Sequence, residues 1–274
     1  MEIKYDNIEM TEQLYSRLFN VGSNTGDRIN SPANSSGLWS LPNFIQRDDG
    51  VTRIEFRVIH AEIPVSFYII NKNNNILQVN GINYFIPLGN YNIKTFTSYL
   101  ATIGITASFS VLTSKYTFLY SNNFTISGSK STCRNIIGLG KSEYSSVNNT
   151  LEMPNVVNFL PLARINFRSS ALQLDNFNSY DKSNDIFISL QNSSSQNAMI
   201  NYKNSAHVKY ILEIDNLTTL DIRITDDMNQ LIDFNGLDWY LTICIDTYYI
   251  SQNDTQNSFS KIVKSNNLNL YSTL

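Results

Sequence analysis

The chain has 274 residues and a formal net charge of −3; 42 % of its residues are hydrophobic, 12 % aromatic and only 16 % charged. That length buries a sizeable core as one large β domain, or as one domain with an insertion. The weak negative charge gives no general affinity for nucleic acid or an anionic membrane, and two cysteines, Cys133 and Cys244, exclude a disulfide framework and a paired metal-binding spacing.

Asparagine makes up about one residue in seven, well above ordinary usage. With Tyr, Phe, Ile and Thr also abundant, the composition favours strands joined by turn-rich loops over long helices. Met1–Asp6 leads into no apolar run, so no signal peptide is expected, and no stretch has the length and apolarity of a transmembrane helix. The sequons at Asn123 and Asn216 are expected from chance in so Asn-rich a chain. A soluble, intracellular, β-rich protein is the expectation.

Residues 1–50 read as an N-terminal arm and linker. Thr11 is placed to cap a short helix with Leu14, Leu18 and Phe19 on one side, and 22–37 is almost entirely loop-forming. Trp39, Leu41 and Phe44 then either dock on a neighbouring surface or close the end of their own sandwich. The organising stretch is 51–71: Ile54, Phe56 and Val58 alternate with Arg53, Glu55 and Arg57, the mark of a half-buried strand. Pro64 breaks it, and a second strand is expected over Ser66–Ile70.

Residues 76–140 read as an inserted α+β subdomain. Strands flank the turn Asn80-Gly81, Asn92 caps a helix bearing Ile93, Phe96, Leu100 and Ile103, and further strands follow. Residues 141–250 hold the remainder of the sandwich, with 141–160 a connector. Strands are expected at Leu162–Arg168, Ile186–Leu190, Val208–Ile214, Leu220–Ile224 and Leu237–Ile245, the third and last burying Val208 and Leu237 at their starts. Residues 251–274 are a polar tail. Short strands at this spacing suggest an antiparallel sandwich, and the long connections suit a jelly roll.

Chemistry is hard to place. His60 and His207 have no nucleophile motif beside them, and Asp48-Asp49 and Asp226-Asp227 are ordinary turn carboxylates. A calcium role for Asp221, Asp226 and Asp227 is the weaker alternative to turn chemistry. Gly138-Leu139-Gly140 lacks the rest of a dinucleotide fingerprint. No catalytic residue, cofactor site or metal site is expected, and the chain is read as a non-enzyme. The basic stripes Arg53/Arg57 and Arg164/Arg168, with Glu55 between the first pair, are either a solvated face or one half of a subunit interface.

Two motifs add a family likeness. IPVSFYIIN at 63–71, followed by an Asn-rich turn, and YFIPLGNYNIKTF at 84–96 resemble the minor capsid (penton) proteins of virophages, polinton-like viruses and large DNA viruses. Ile137–Gly140 is similar to the Leu-Gly turn that closes the same module, and LDIRITDDMNQLIDFNGLDWYLTICI at 220–245 to its closing strands. The resemblance covers about residues 45–247 and rests on several short motifs in the right order. It implies a jelly-roll sandwich, a homopentamer at the icosahedral vertices of a virion, assembly with the major capsid protein of the same virus, and synthesis in the host cytoplasm. A glycan- or receptor-binding β-sandwich of a virion is the alternative, with an enzyme third.

Overall fold

A computed structural model describes residues 11–25, 34–46, 50–172, 174 and 182–251. Three long strands come first: β1 (Thr11–Gly22), β2 (Ser36–Gln46) and β3 (Val51–Pro64). The inserted segment contributes β4 (Ile76–Val79), β5 (Ile82–Phe85), the helix α1 (Ile93–Thr102), β6 (Thr106–Ser110), β7 (Lys115–Leu119) and β8 (Thr125–Ser127). It closes with the single turn α2 (Arg134–Ile137), β9 (Glu143–Ser145) and β10 (Thr150–Glu152). The chain returns through β11 (Arg164–Arg168), β12 (Ile186–Gln191), β13 (Met199–Lys203), β14 (Tyr210–Ile211), β15 (Asn216–Thr225) and β16 (Tyr240–Ser251).

Outside the insertion, two antiparallel sheets face each other. One runs β1-β16-β3, with β13 and β14 sharing the far edge of β3; the other runs β12-β11-β15-β2. Counting β13 and β14 as one interrupted strand, the first sheet takes strands one, eight, three and six of the sandwich. The second takes five, four, seven and two. That is jelly-roll connectivity, two Greek keys wound together. The insertion interrupts it between the third and fourth strands.

The alternation of β3 does what the sequence expects. Ile54, Phe56 and Val58 are buried, while Arg53, Glu55 and Arg57 stand on the outer face. A register shift between Val58 and His60 then reverses the phase, so Ala61 and Ile63 point inward. Pro64 ends the strand. Ser66–Ile69 is irregular rather than a second strand, and only Ile70 makes a bridge, to Gly89.

Trp239, fully buried, stands edge-on to Trp39 at 5.6 Å and to Phe167 at 5.8 Å, and its indole N–H donates to the Asn34 carbonyl at 2.6 Å. It lies at the Pro64 end of β3, whereas Phe56 packs further along against Phe187 at 5.4 Å. Trp39 and Leu41 therefore close their own sandwich. The side chain of Phe44 lies outside the described residues.

Four expectations are corrected. Thr11–Gly22 is a strand, laddered over twelve residue pairs to β16, so residues 11–22 and 36–46 are sandwich strands and not an arm. The helix signal came from Leu14 and Leu18, but a spacing of four is even and also puts two residues on one face of a strand. Leu237 and Val208 are 52 % and 47 % exposed, because each precedes the strand it was assigned to. The connector 141–160 is built into the insertion: β9 pairs with β8, β10 with β7, and Met153, Val157 and Phe159 join its core.

That second core, around Phe96, Leu100, Tyr116 and Phe118, is separate from the sandwich core. Asn92 and Thr95 form a reciprocal capping box that starts α1. Asn80 and Gly81, at φ 50° and 78°, give the hairpin turn its left-handed pair. Gly138 ends α2 at φ 81°, where a Cβ would lie 2.2 Å from the Asn155 carbonyl oxygen.

Two outcomes follow. Trp239→Ala should lose about 3–5 kcal/mol in denaturant unfolding; an unchanged midpoint would mean the inward face is misassigned. Replacing residues 71–160 by a short Gly-Ser linker should leave a folded sandwich. Removing only 76–140 should aggregate, because Leu151, Met153 and Phe159 would lose their core; equal behaviour of the two deletions by circular dichroism would contradict separate cores.

Candidate subunit interface

The outer face of the β1-β16-β3 sheet collects most of the charge the sequence singles out. Period two places Leu14, Ser16 and Leu18 of β1 beside Tyr248, Asp246 and Cys244 of β16, and these beside Arg53, Glu55 and Arg57 of β3. Glu55 is the hub. Its carboxylate accepts from Lys209 Nζ at 2.7 Å and from the Tyr248 hydroxyl at 2.9 Å, and pairs with Arg53 Nε at 2.9 Å. The Arg53 guanidinium also lies 4.1 Å over the Tyr248 ring and reaches Glu12 at 3.7 Å.

A second cluster sits one step along. Arg57 pairs with the buried Asp246 at 3.2 Å, and Asp246 accepts from Ser16 Oγ at 2.5 Å and from the Cys244 thiol at 3.3 Å. Cys244 thus points outward yet is buried, and desolvation raises its thiol pKa above the ordinary value. That is a structural thiol, not a nucleophile.

Arg164 and Arg168 are on the other sheet, on β11, so the five candidate residues do not form one surface. Arg164 is exposed. Arg168 is fully buried: Nε donates to Thr225 Oγ1 at 2.9 Å, and Nη1 to Ser183 and to Asp185, each at 2.8 Å. Its burial follows from the chain folded over this face. Asp221 grips the turn Ser169–Ala171 through both backbone N–H groups and hydroxyls, and Asn166 donates to the Asp226 carbonyl and to Asp227.

The remaining candidates take structural places. Asp226 accepts from the N–H groups of Met228 and Gln230 in its own turn, and burial raises its carboxyl pKa. His60 lies 3.9 Å from Glu62, and His207 occupies an exposed turn at φ 53°. Among the described residues no group of three His, Cys, Asp or Glu side chains is placed to hold a metal ion. No helix among them is long and apolar enough to cross a membrane. Asp48-Asp49 lies outside the described residues.

No protein-family model matches this chain, and no curated protein sequence does. Among solved structures it is similar to the crystal structure of the mavirus penton protein, at 12 % identity over 86 % of this chain and 99 % of that one, with a TM-score of 0.43. It is also similar to a chain in the 3.5 Å cryo-EM structure of the Sputnik virophage, at 11 % identity over 85 % and 97 %, with a TM-score of 0.41. A third likeness is to VP17, a capsid protein of bacteriophage P23-77, at 10 % identity over 88 % and 99 %, with a TM-score of 0.22.

The motif residues have a physical role of their own at the neck between sandwich and insertion. Ser66 Oγ donates to the Phe234 carbonyl at 2.7 Å, Asn235 donates to the Ser66 carbonyl at 2.6 Å, and Phe67 stacks edge-on against Phe234. The Ile69 N–H donates to Asn90 Oδ1 at 3.0 Å beside the Ile70–Gly89 bridge. Beside this neck lies a cleft of about 250 Å³ lined by Tyr68, Asn71, Leu88 and Asn235 among others.

Sequence reasoning missed the exposed apolar rows. Leu14 and Leu18 of β1 are 55 % and 67 % exposed, and Val111 and Leu112 at the tip of the β6–β7 hairpin are 85 % and 95 % exposed. Alternation in 11–22 carries the first signal, and reading the segment as a helix hid it.

Burial alone would raise the Glu55 carboxyl, but hydrogen bonds from Lys209 and Tyr248, with the charges of Lys209 and Arg53, outweigh it and hold it below the ordinary 4.5. The folded value lies below the unfolded one. The network therefore stabilises fully above about pH 4.5 and is lost as pH falls through the folded value. Glu55→Gln should destabilise at pH 7 by about 1 kcal/mol, since the exposed partners are screened, and should flatten the acid limb of stability against pH. Parallel profiles for the variant and the parent would contradict this.

Proposed function

We propose that this chain is a virion structural protein, a penton subunit that assembles as a homopentamer at the vertices of an icosahedral capsid. The observation that carries it is the jelly-roll strand order interrupted between the third and fourth strands, where the motifs resembling penton proteins form the neck. Jelly rolls also serve lectins and cupins, so strand order alone does not choose among them.

The layout supports a vertex role. β3 runs from Val51, near Thr11 and Ser251, to Pro64, where the insertion begins. Thr11 and Ser251, the first and last described residues, therefore lie at one end of the sandwich and the inserted unit rises from the other. In a capsid this polarity turns the insertion outward and the Thr11 and Ser251 end toward the major capsid protein and the interior. The work is assembly, and no catalytic step is assigned.

Sedimentation of the full chain over a range of concentrations tests the ring: the assembled species should contain five copies of a 31.2 kDa chain. A stable dimer or trimer would overturn it. The cleft beside Tyr68 favours a second reading, a glycan-binding module. Specific glycan-array binding by a monomer or trimer, abolished by Tyr68→Ala, would favour that reading over the ring.

A further inference from the structure

We propose that the edge strand β1 of one copy docks into the groove on the opposite edge of the sandwich of the next copy. This rests on the reading that copies of the chain assemble around a closed ring, and it names the contact that closes it.

β1 ends its sheet, so among the described residues no strand lies beside one side of its backbone. Exposed edges are usually blunted by proline, lysine, bulges or short length. Here the edge runs for twelve residues with no proline, no lysine and no register shift against β16. Its exposed apolar side chains are Leu14 and Leu18 on the outer face and Tyr15 on the inner one.

The opposite edge is notched. β13 covers β3 from His60 to Pro64 and β14 covers Glu55 and Phe56, and Asn204 still donates to the Ile59 carbonyl, but beyond it the chain swings away over 205–209. The Asn204 side chain holds that excursion shut, accepting from the Val208 N–H at 3.0 Å and donating to its carbonyl at 2.9 Å. Beneath the notch, between the edges of the two sheets, lies a groove of about 190 Å³ walled by Val58, Phe187, Tyr202, Val208 and Tyr210, with Ser189 and Asn204 supplying polar lining. Ile211, beside it, is 60 % exposed.

Exposed apolar side chains therefore stand on one edge and a recess with aromatic walls and a polar rim on the other. A contact between them uses two different patches, so it is heterologous and propagates head to tail, as a ring requires. Twelve strand residues span about 40 Å, and a sandwich edge with its side chains is roughly 20 Å thick. That is about 800 Å² per partner, the size of a standard stable interface. Pairing β1 with β1 would instead give a closed dimer and leave the groove exposed.

The test uses the full chain with Leu14→Cys and Val208→Cys, treated with a short bis-maleimide. Both native thiols are buried, and Leu14 lies across from Tyr248, away from Cys244. The double variant should give a cross-linked ladder that ends at five copies, and each single variant should give none. Dimers from Leu14→Cys alone would overturn the contact in favour of edge-to-edge pairing. Five-copy oligomers by sedimentation without a ladder would overturn the contact while the pentamer stands; monomers without a ladder at high concentration would overturn the contact as well. As a second variant, Leu14→Asp with Leu18→Asp should keep the parent's circular dichroism and unfold cooperatively yet lose the oligomer. Retention of the oligomer would overturn the proposal.

Discussion

The structure depends on the pairing of the last sandwich strand between the first and the third. β16 lies in the middle of its sheet, laddered to residues 11–22 on one side and 51–62 on the other. A chain cut before β16 cannot close that sheet, because its centre comes last among the sandwich strands. Such non-local pairing pays its loop-closure entropy before contacts reward it, so folding of this sandwich is expected to be slow. The same arrangement seats Trp239 at the start of β16, where it meets Trp39 and Phe167 and ties the two sheets together.

The position of the insertion follows from that frame. Lengthening a surface connection adds closure entropy only logarithmically. A folded unit with its own core can therefore occupy the third-to-fourth connection without disturbing strand pairing. What it needs is a fixed neck, and Ser66, Phe67, Ile70, Gly89, Asn90 and Asn235 supply one through backbone-directed hydrogen bonds and a ring contact. The motif that resembles penton proteins is thus a joint rather than a reactive site.

Much of this was legible in the sequence where one period dominated. The alternation of β3, the Asn80-Gly81 turn, the Asn92 cap and the Leu220–Ile224 strand each carry a local cause. β1 was not legible, since Leu14 and Leu18 satisfy helix and strand spacing alike and only β16, far along the chain, decides between them. Arg168 misled for a related reason: alternation puts it on the outer face, but Ser183 and Asp185, beyond the strand, close over it and bury it. Four of the five charged residues expected at an interface, Arg53, Glu55, Arg57 and Arg168, bond within the chain, while Arg164 is exposed. Charges satisfied in this way offer little to a neighbour, and the exposed apolar side chains of β1 offer more.

Electron cryomicroscopy of purified particles tests the vertex role most directly. A penton gives density for five copies of this jelly roll around the fivefold axis, with the inserted unit outward and the Thr11 and Ser251 ends toward the particle interior. Density for the chain at a threefold or quasi-sixfold position, with none at the fivefold vertex, would contradict it.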